Sequence, residues 1–298
     1  MKLIVDFLKD NKIEYRLNEP MNLHTTFRIG GNASVFAILK SKDQLKSLLA
    51  FCGKNGVKPF ILGNGSNLLV NDKGIDNLVI TLDGDFSKID LIDETTIEVG
   101  AAVQLSALCR FALKNKLSGL EFAYGIPGSV GGAVYMNAGA YGGEMKNVVS
   151  FVSHVDYFGN EDSFSQNQLS FGYRKSAYSN DKYVITSAII KLTKGEEETI
   201  KASMNDLIQR RKDKQPLDYP SAGSTFKRPE GYFAGALIEQ SGLKGKQIGG
   251  AQVSEKHAGF VINKNNASCE DVLNLIEHCR KTVKEKFGVT LETEVKII

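Results

Sequence analysis

With 298 residues, 42% of them hydrophobic, the chain has apolar material for one large core or about two to three smaller ones and is expected to fold unaided. Lys and Arg number 37 against 34 acidic residues, and a formal charge of +3 gives no field of the kind that marks a nucleic-acid or membrane-surface protein. No run approaches the roughly 18 apolar residues of a membrane span, and Met1 to Asp10 carries Asp6 and Lys9 in an amphipathic pattern rather than a signal sequence, so a cytoplasmic location is expected.

In chain order, residues 3–12 read as helix, 34–40 (SVFAILK) as strand, 42–52 as helix and 58–62 (KPFIL) as a strand that runs into a glycine loop, together a small α/β unit. The strand-like runs NLVITL and TIEV fall between 76 and 99, and an amphipathic helix follows over 104–115. A glycine-dense segment occupies 125–143, after which strands return at 148–158 and 183–192. Over 196–213 a helical pattern sets Ile200, Met204, Leu207, Ile208 and Arg211 on one side, with a basic end from Arg210 to Lys214 that complements the helix dipole. Pro216 and Pro220 break this pattern and open the last region, with a helix near 232–240 and a strand near 259–263. Ser268 followed by Asp271 is a capping signal for a long helix, on which Val272, Leu275, Ile276, Cys279 and Val283 share a face, so Cys279 reads as core. The chain closes on a strand, Val289 to Ile298, whose alternation puts Leu291, Thr293, Val295 and Ile297 on one face and Glu292, Glu294 and Lys296 on the other.

Cys52, Cys109, Cys269 and Cys279 form no C-x-x-C pair, and His24, His154, His257 and His278 show no metal-ligand spacing, so neither disulfides nor a metal are expected. Two glycine segments carry more information. Gly63-Asn64-Gly65-Ser66-Asn67 follows the apolar run Pro59 to Leu62, and such a loop either is a plain tight turn or gathers backbone N–H groups around phosphate oxygens. The second, Gly125-Ile126-Pro127-Gly128-Ser129-Val130-Gly131-Gly132-Ala133, is uncharged and small, which suits either close packing of turn and helix or the approach of backbone to a flat or extended ligand. Neither has the G-x-G-x-x-G form of a dinucleotide fold, and no G-x-x-x-x-G-K-[ST] phosphate loop is present, which disfavours a Rossmann enzyme and a nucleoside triphosphatase.

Taken together, Thr25-Thr26-Phe27-Arg28-Ile29-Gly30-Gly31 and these two glycine segments resemble the FAD-binding domain of p-cresol methylhydroxylase-like flavoproteins. Three further motifs, Phe171-Gly172-Tyr173-Arg174-Lys175-Ser176, Ala222-Gly223-Ser224-Thr225-Phe226-Lys227-Arg228-Pro229 and Leu291-Glu292-Thr293-Glu294-Val295, narrow the resemblance to the UDP-N-acetylenolpyruvoylglucosamine reductase family. The resemblance implies an α+β protein with a two-lobed FAD-binding domain (1–82 with a return at 295–298, and 83–203) and a C-terminal α+β substrate domain over 204–294. It implies noncovalent FAD, NADPH as hydride donor and UDP-N-acetylglucosamine enolpyruvate as substrate; from the charge balance no nucleic-acid or membrane partner is expected, and the chain is expected to be a monomer. The cofactor residues it implies are Arg28, Gly63, Asn64, Gly65, Ser66, Asn67, Gly125, Pro127, Gly128, Ser129, Gly131, Gly132 and Ala133.

That reaction builds negative charge on a carboxylate and then needs a proton on the neighbouring carbon, so it asks for a cation, a proton donor and a further polar group. The family match gives these roles to Arg174, whose planar fork holds a carboxylate through two hydrogen bonds, to Ser224 as donor, and to Glu294. Read without the family, Arg174 is an ion-pair partner, Ser224 a turn residue and Glu294 part of a solvated strand face. Tyr173, Lys214 and Lys244 match family positions that meet the sugar nucleotide. Arg228 stands where other members have Asn, and Lys296 where they have Arg; the short connection after Arg174 resembles the branch without a tyrosine-bearing lid. Two other readings remain open, an oxidase on the same scaffold and a noncatalytic nucleotide-sugar binding protein.

Overall fold

The computed structural model describes every residue from Met1 to Ile298. The chain forms two compact units, the first from residues 1–17, 35–64 and 77–210 and the second from 18–34, 65–76 and 211–298.

The first unit is organised on two sheets. In one, whose strands lie mainly in this unit, the order is Glu14–Pro20, Asn32–Leu39, Ile75–Leu82, Phe60–Leu62, and Phe60, Ile61 and Leu62 run parallel to Val79, Ile80 and Thr81. Helices α1 (Lys2–Asp10) and α2 (Lys42–Lys54) pack on it. Ser41 starts α2 by accepting the Gln44 N–H at 3.3 Å, and Leu45, Leu48, Leu49 and Cys52 follow at the spacing of one helix face, buried with Val35, Leu39, Leu78 and Ile80. The other sheet is antiparallel throughout, in the order Glu161–Ser165, Val149–Asp156, Tyr183–Lys191, Thr96–Gly100, Ile89–Leu91. Its core includes Leu105, Leu108 and Cys109 of α3 (Leu105–Lys114), Val130 and Val134 of the short α4 (Val130–Met136), and Ile200 and Met204 of α5 (Glu197–Lys214).

The second unit sets α6 (Ala234–Gln240) and α7 (Cys269–Phe287) with a small sheet ordered Gln247–Ile248, Ala251–Val253, Val261–Asn263. The expected capping signal is a full capping box: Ser268 Oγ accepts the Asp271 N–H at 3.0 Å, and the Asp271 carboxylate accepts the Ser268 N–H at 3.0 Å. Gly288 ends α7 with φ of +71°.

The closing strand is shorter than its alternation suggests. Only Lys296–Ile297 is a regular strand, parallel to Leu68–Leu69, while 292–294 pairs instead with 225–227 through Lys227 N–H to Glu292 O and Glu294 N–H to Thr225 O, both at 2.9 Å. Because the backbone changes partner in between, the faces do not stay in phase: Leu291 and Val295 are buried, whereas Ile297 is 43% exposed. No helix is long and apolar enough to cross a membrane.

Candidate active site

Parts of both glycine segments are joined within the first unit. The strand Phe60–Leu62 delivers Asn64, whose Nδ2 donates to the Pro127 carbonyl at 3.0 Å. Ser129 caps α4, its buried Oγ accepting the Gly132 N–H at 3.4 Å. A Cβ on Gly63 would come within 2.8 Å of Ser129 Oγ, and one on Gly131 would press Ala101 Cβ at 3.0 Å. Side chains are thus excluded around Ser129, and no charge lies in 125–133. Bare, uncharged backbone of this kind fits a flat ring or a pyrophosphate, so these residues fit FAD. Ala133 instead faces the core.

Gly65, Ser66 and Asn67 belong to the second unit. Gly65 has φ of +59°, and a Cβ there would run into the His24 carbonyl, so only glycine fits. Its own carbonyl accepts the Thr26 N–H at 3.2 Å, and Thr26 Oγ1 donates to Ser221 O at 2.7 Å. The exposed Arg28 is held in this stretch at φ of +55°, its N–H donating to Thr25 O at 3.2 Å.

Arg174, in the first unit, sits at φ of +53° in a turn closed by Gly172 N–H to Lys175 O at 2.9 Å and Lys175 N–H to Gly172 O at 3.2 Å. Its guanidinium lies 5.1 Å over the Tyr173 ring, which is 54% exposed. Asn137, which ends α4 at φ of +45°, donates from Nδ2 to both Gly172 O at 3.0 Å and Glu144 Oε2 at 2.8 Å. Burial pushes the Glu144 carboxyl up, but hydrogen bonds from Lys146 and Asn137 and the charges of Lys146 and Arg174 outweigh it and hold the group below its ordinary value. The Arg174 charge therefore acts on an ionised carboxylate that Asn137 ties to the Gly172 carbonyl, two residues before it. Neither Asn137 nor Glu144 stands out in the sequence; the left-handed Asn that ends a glycine-rich helix is the one usable signal.

In the second unit, Ser224 and Glu294 are brought together by Thr225. The buried Thr225 donates its N–H to Gly259 O at 2.9 Å, accepts the Val261 N–H on Oγ1 at 2.9 Å and accepts the Glu294 N–H on its carbonyl at 2.9 Å. Gly223, at φ of +74°, turns the chain just before it. The Glu294 carbonyl accepts Asn67 Nδ2–H at 2.9 Å, and the Asn67 carbonyl accepts the Lys296 N–H at 2.9 Å, so the glycine loop is tied directly to the Glu294 segment. Ser224 and Glu294 are both half-buried. Thr225 had no distinguishing signal beyond its place beside Ser224.

Lys214 and Lys244 converge on His257, a residue with no neighbouring motif. Burial pushes the His257 imidazole down; the positive charges of Lys244 and Lys214 add to this, against a backbone hydrogen bond and Glu239. Its Nδ1 accepts the Gly259 N–H at 3.1 Å, so the neutral ring carries its proton on Nε2. Lys244 Nζ also pairs with Glu239 Oε1 at 2.7 Å. This cluster offers two cations and an N–H donor, the chemistry of a phosphate subsite. Arg228 lies 4.4 Å over the Phe233 ring. No group of three or more His, Cys, Asp or Glu side chains gathers as metal ligands.

Residues 33–160 match the FAD binding domain model, and residues 215–298 match the C-terminal domain model of UDP-N-acetylenolpyruvoylglucosamine reductase. The UDP-N-acetylenolpyruvoylglucosamine reductase of Caldanaerobacter subterraneus subsp. tengcongensis is 51% identical over 100% of this chain and 98% of its own length; that of Clostridium novyi is 48% identical over 97% and 93%. The crystal structure of UDP-N-acetylenolpyruvylglucosamine reductase from Thermus caldophilus superposes with a TM-score of 0.82 at 36% identity, covering 96% of this chain and 98% of that one. Full-length identity at this level, with both domain models in their expected order, means that the chain belongs to the UDP-N-acetylenolpyruvoylglucosamine reductase family.

Proposed function

We propose that the chain reduces UDP-N-acetylglucosamine enolpyruvate to UDP-N-acetylmuramate, consuming NADPH and one proton, and that Arg174, Ser224 and Glu294 carry out the substrate half of that reaction. FAD, when bound, would supply the hydride relay between NADPH and the terminal carbon of the vinyl ether. The surface around Gly63, Asn64, Pro127 and Ser129, with Gly125, Gly128, Gly131 and Gly132, would hold it, as would Gly65 to Asn67 and Arg28.

Arg174 grips the substrate carboxylate through its two-pronged face, so the charge that develops there is met by a group that stays cationic. Ser224 delivers a proton from Oγ to the carbon beside the carboxylate, and Glu294 polarises that end of the substrate. Lys214 and Lys244, with His257, take the diphosphate, and Tyr173 lines the sugar. The observation that carries this reading is the threefold tethering of Thr225, which fixes Ser224 on one side and Glu294 on the other. The lobes are assigned as 1–82 with 295–298, 83–203, and a substrate lobe over 204–294. The substrate is a charged nucleotide sugar that does not cross membranes, which supports a cytoplasmic enzyme of peptidoglycan precursor synthesis, and with it a place in cell shape and division; the chain is proposed to act as a monomer.

Anaerobic mixing tests the proposal. The purified protein is yellow, NADPH bleaches it, and the enolpyruvyl sugar restores the colour with formation of the lactyl ether; rapid recolouring by air alone, without that sugar, would mark an oxidase instead. Acid precipitation should leave FAD in the supernatant, because neither glycine loop holds a His or Cys to bond it.

A further inference from the structure

We propose that His154 and Tyr178 are positioning residues for Arg174, forming a buried polar anchor that keeps the Tyr173-Arg174 turn in the conformation that clamps a carboxylate. The inference rests on the reading of Arg174 as the carboxylate cation.

A non-glycine residue at φ of +53° costs about 1–2 kcal/mol and persists only where its surroundings hold it. On the amino side of the turn, Asn137 holds Gly172. On the carboxyl side, Ser176 Oγ donates to Tyr135 O at 2.8 Å and accepts the Tyr178 N–H at 3.2 Å, and the Ala177 N–H donates to Leu169 O at 2.7 Å. A single 3-10 turn, Ala177–Asn180, follows and sends the fully buried Tyr178 inward. Its hydroxyl lies 2.8 Å from His154 Nδ1, on strand Val149–Asp156, and 3.4 Å from the Val152 carbonyl. With the hydroxyl donating to Val152 O, the imidazole donates from Nδ1–H, and a continuous chain of bonds joins the central sheet to the segment two residues beyond Arg174.

His154 is 1% exposed, and the rings of Phe164, Tyr178 and Tyr183 surround it with centroids at 4.5, 5.4 and 4.4 Å. Its Nε2 is buried without a hydrogen-bond partner. A leucine or phenylalanine would fill such a box without that cost, so packing alone does not account for histidine, whereas the bond to Tyr178 does. Besides the hydroxyls of Tyr178 and Tyr183, the charged groups acting on the ring are Asp162 on the neighbouring strand and Asp156 on its own. Burial nevertheless holds the imidazole below its ordinary 6.5 and keeps it neutral at physiological pH. A proton on Nε2 would point an N–H into aromatic carbon, so acid loosens the anchor.

The test uses FAD-loaded protein and calorimetric titration with UDP-N-acetylmuramate, which carries the carboxylate, and with UDP-N-acetylglucosamine, which lacks it. Tyr178→Phe should weaken the first by about tenfold or more and the second by less than about twofold. Recolouring of the reduced flavin by substrate should slow by about ten- to hundredfold, while bleaching by NADPH holds within about twofold. His154→Asn, which keeps an N–H near the Nδ1 position and does not titrate, should restore most of the discrimination and remove the acid limb from the pH profile of recolouring. The double variant His154→Phe with Tyr178→Phe refills the box without polar atoms; if it folds, binds FAD and discriminates the two ligands like the parent, the anchor is structural only and the proposal falls. Arg174→Lys separates the two levels. Undiminished discrimination there overturns the Arg174 reading itself, whereas lost discrimination in Arg174→Lys with normal behaviour in Tyr178→Phe overturns only the anchor.

Discussion

Ser224 owes its position to its neighbours rather than to its own bonds, and this makes its replacement informative. Gly223 sets the turn at φ of +74°, and Thr225 is tethered to Gly259, Val261 and Glu294. Removing one oxygen at Ser224 disturbs none of these. Ser224→Ala is therefore expected to melt within about 0.5 kcal/mol of the parent and to keep flavin reduction by NADPH, while the rate of lactyl ether formation drops by on the order of 4 kcal/mol, several powers of ten. Rapid mixing of the NADPH-reduced variant with the enolpyruvyl sugar reads both; recolouring at the parent rate would remove Ser224 as donor and leave Glu294 or a water. At this scale the proposed reacting groups were legible because each sits in a recognisable short motif. Their supports were not. Asn137 reaches Gly172, and Asn67 reaches Glu294, across sequence separations of 35 and 227. Hydrogen bonds of that range leave no local pattern, and His257 becomes notable only when folding gathers Lys214, Lys244 and Glu239 around it.

Helices obeyed the sequence better than strands, because a capping residue and a 3.6-residue spacing are local properties. The α7 cap is the clearest case and carries its own prediction. Ser268→Ala deletes the acceptor for the Asp271 N–H, leaving the Asp271 carboxylate still bound to Ser268 and Gly250 N–H groups, so about 1 kcal/mol should be lost in a urea titration without change in activity. A loss beyond about 2 kcal/mol would mean that the box holds more than the helix end. Strand Glu161–Ser165 escaped notice because it is a polar edge, with only Ser163 and Phe164 partly buried. The closing segment misled for the opposite reason: its alternation is real, but a switch of pairing partner from 225–227 to 67–69 lies outside anything periodicity encodes.

For the molecule as a whole, two imidazoles, the buried His154 and the half-buried His257, give stability a direction with pH. His154 and His257 are each held below their ordinary 6.5, in both cases chiefly by burial. A depressed folded-state value means that the unfolded chain binds the proton more readily, so the stability these groups confer is full above 6.5 and is lost as pH falls through the folded-state values. Melting temperature should therefore decline already on going from pH 7 toward 5, before the carboxylates titrate, and His154→Asn should flatten part of that decline; a parent whose melting temperature is level across this window would refute it. The four buried thiols point the other way: burial pushes Cys52, Cys109 and Cys279 up to about 12 and Cys269 to about 11, so none is a thiolate near neutrality. The interleaved build of the second unit bears on how the protein folds. Its loop at 65–71 is bonded on one side by Thr26 and Gly31, which reach Gly65 and Asn71, and on the other by Glu294, Lys296 and Ile298, which reach Asn67, Leu69 and Asn71. Segments more than two hundred residues apart must therefore meet before this loop is fixed, and contacts of such separation close late, after the local helices have formed.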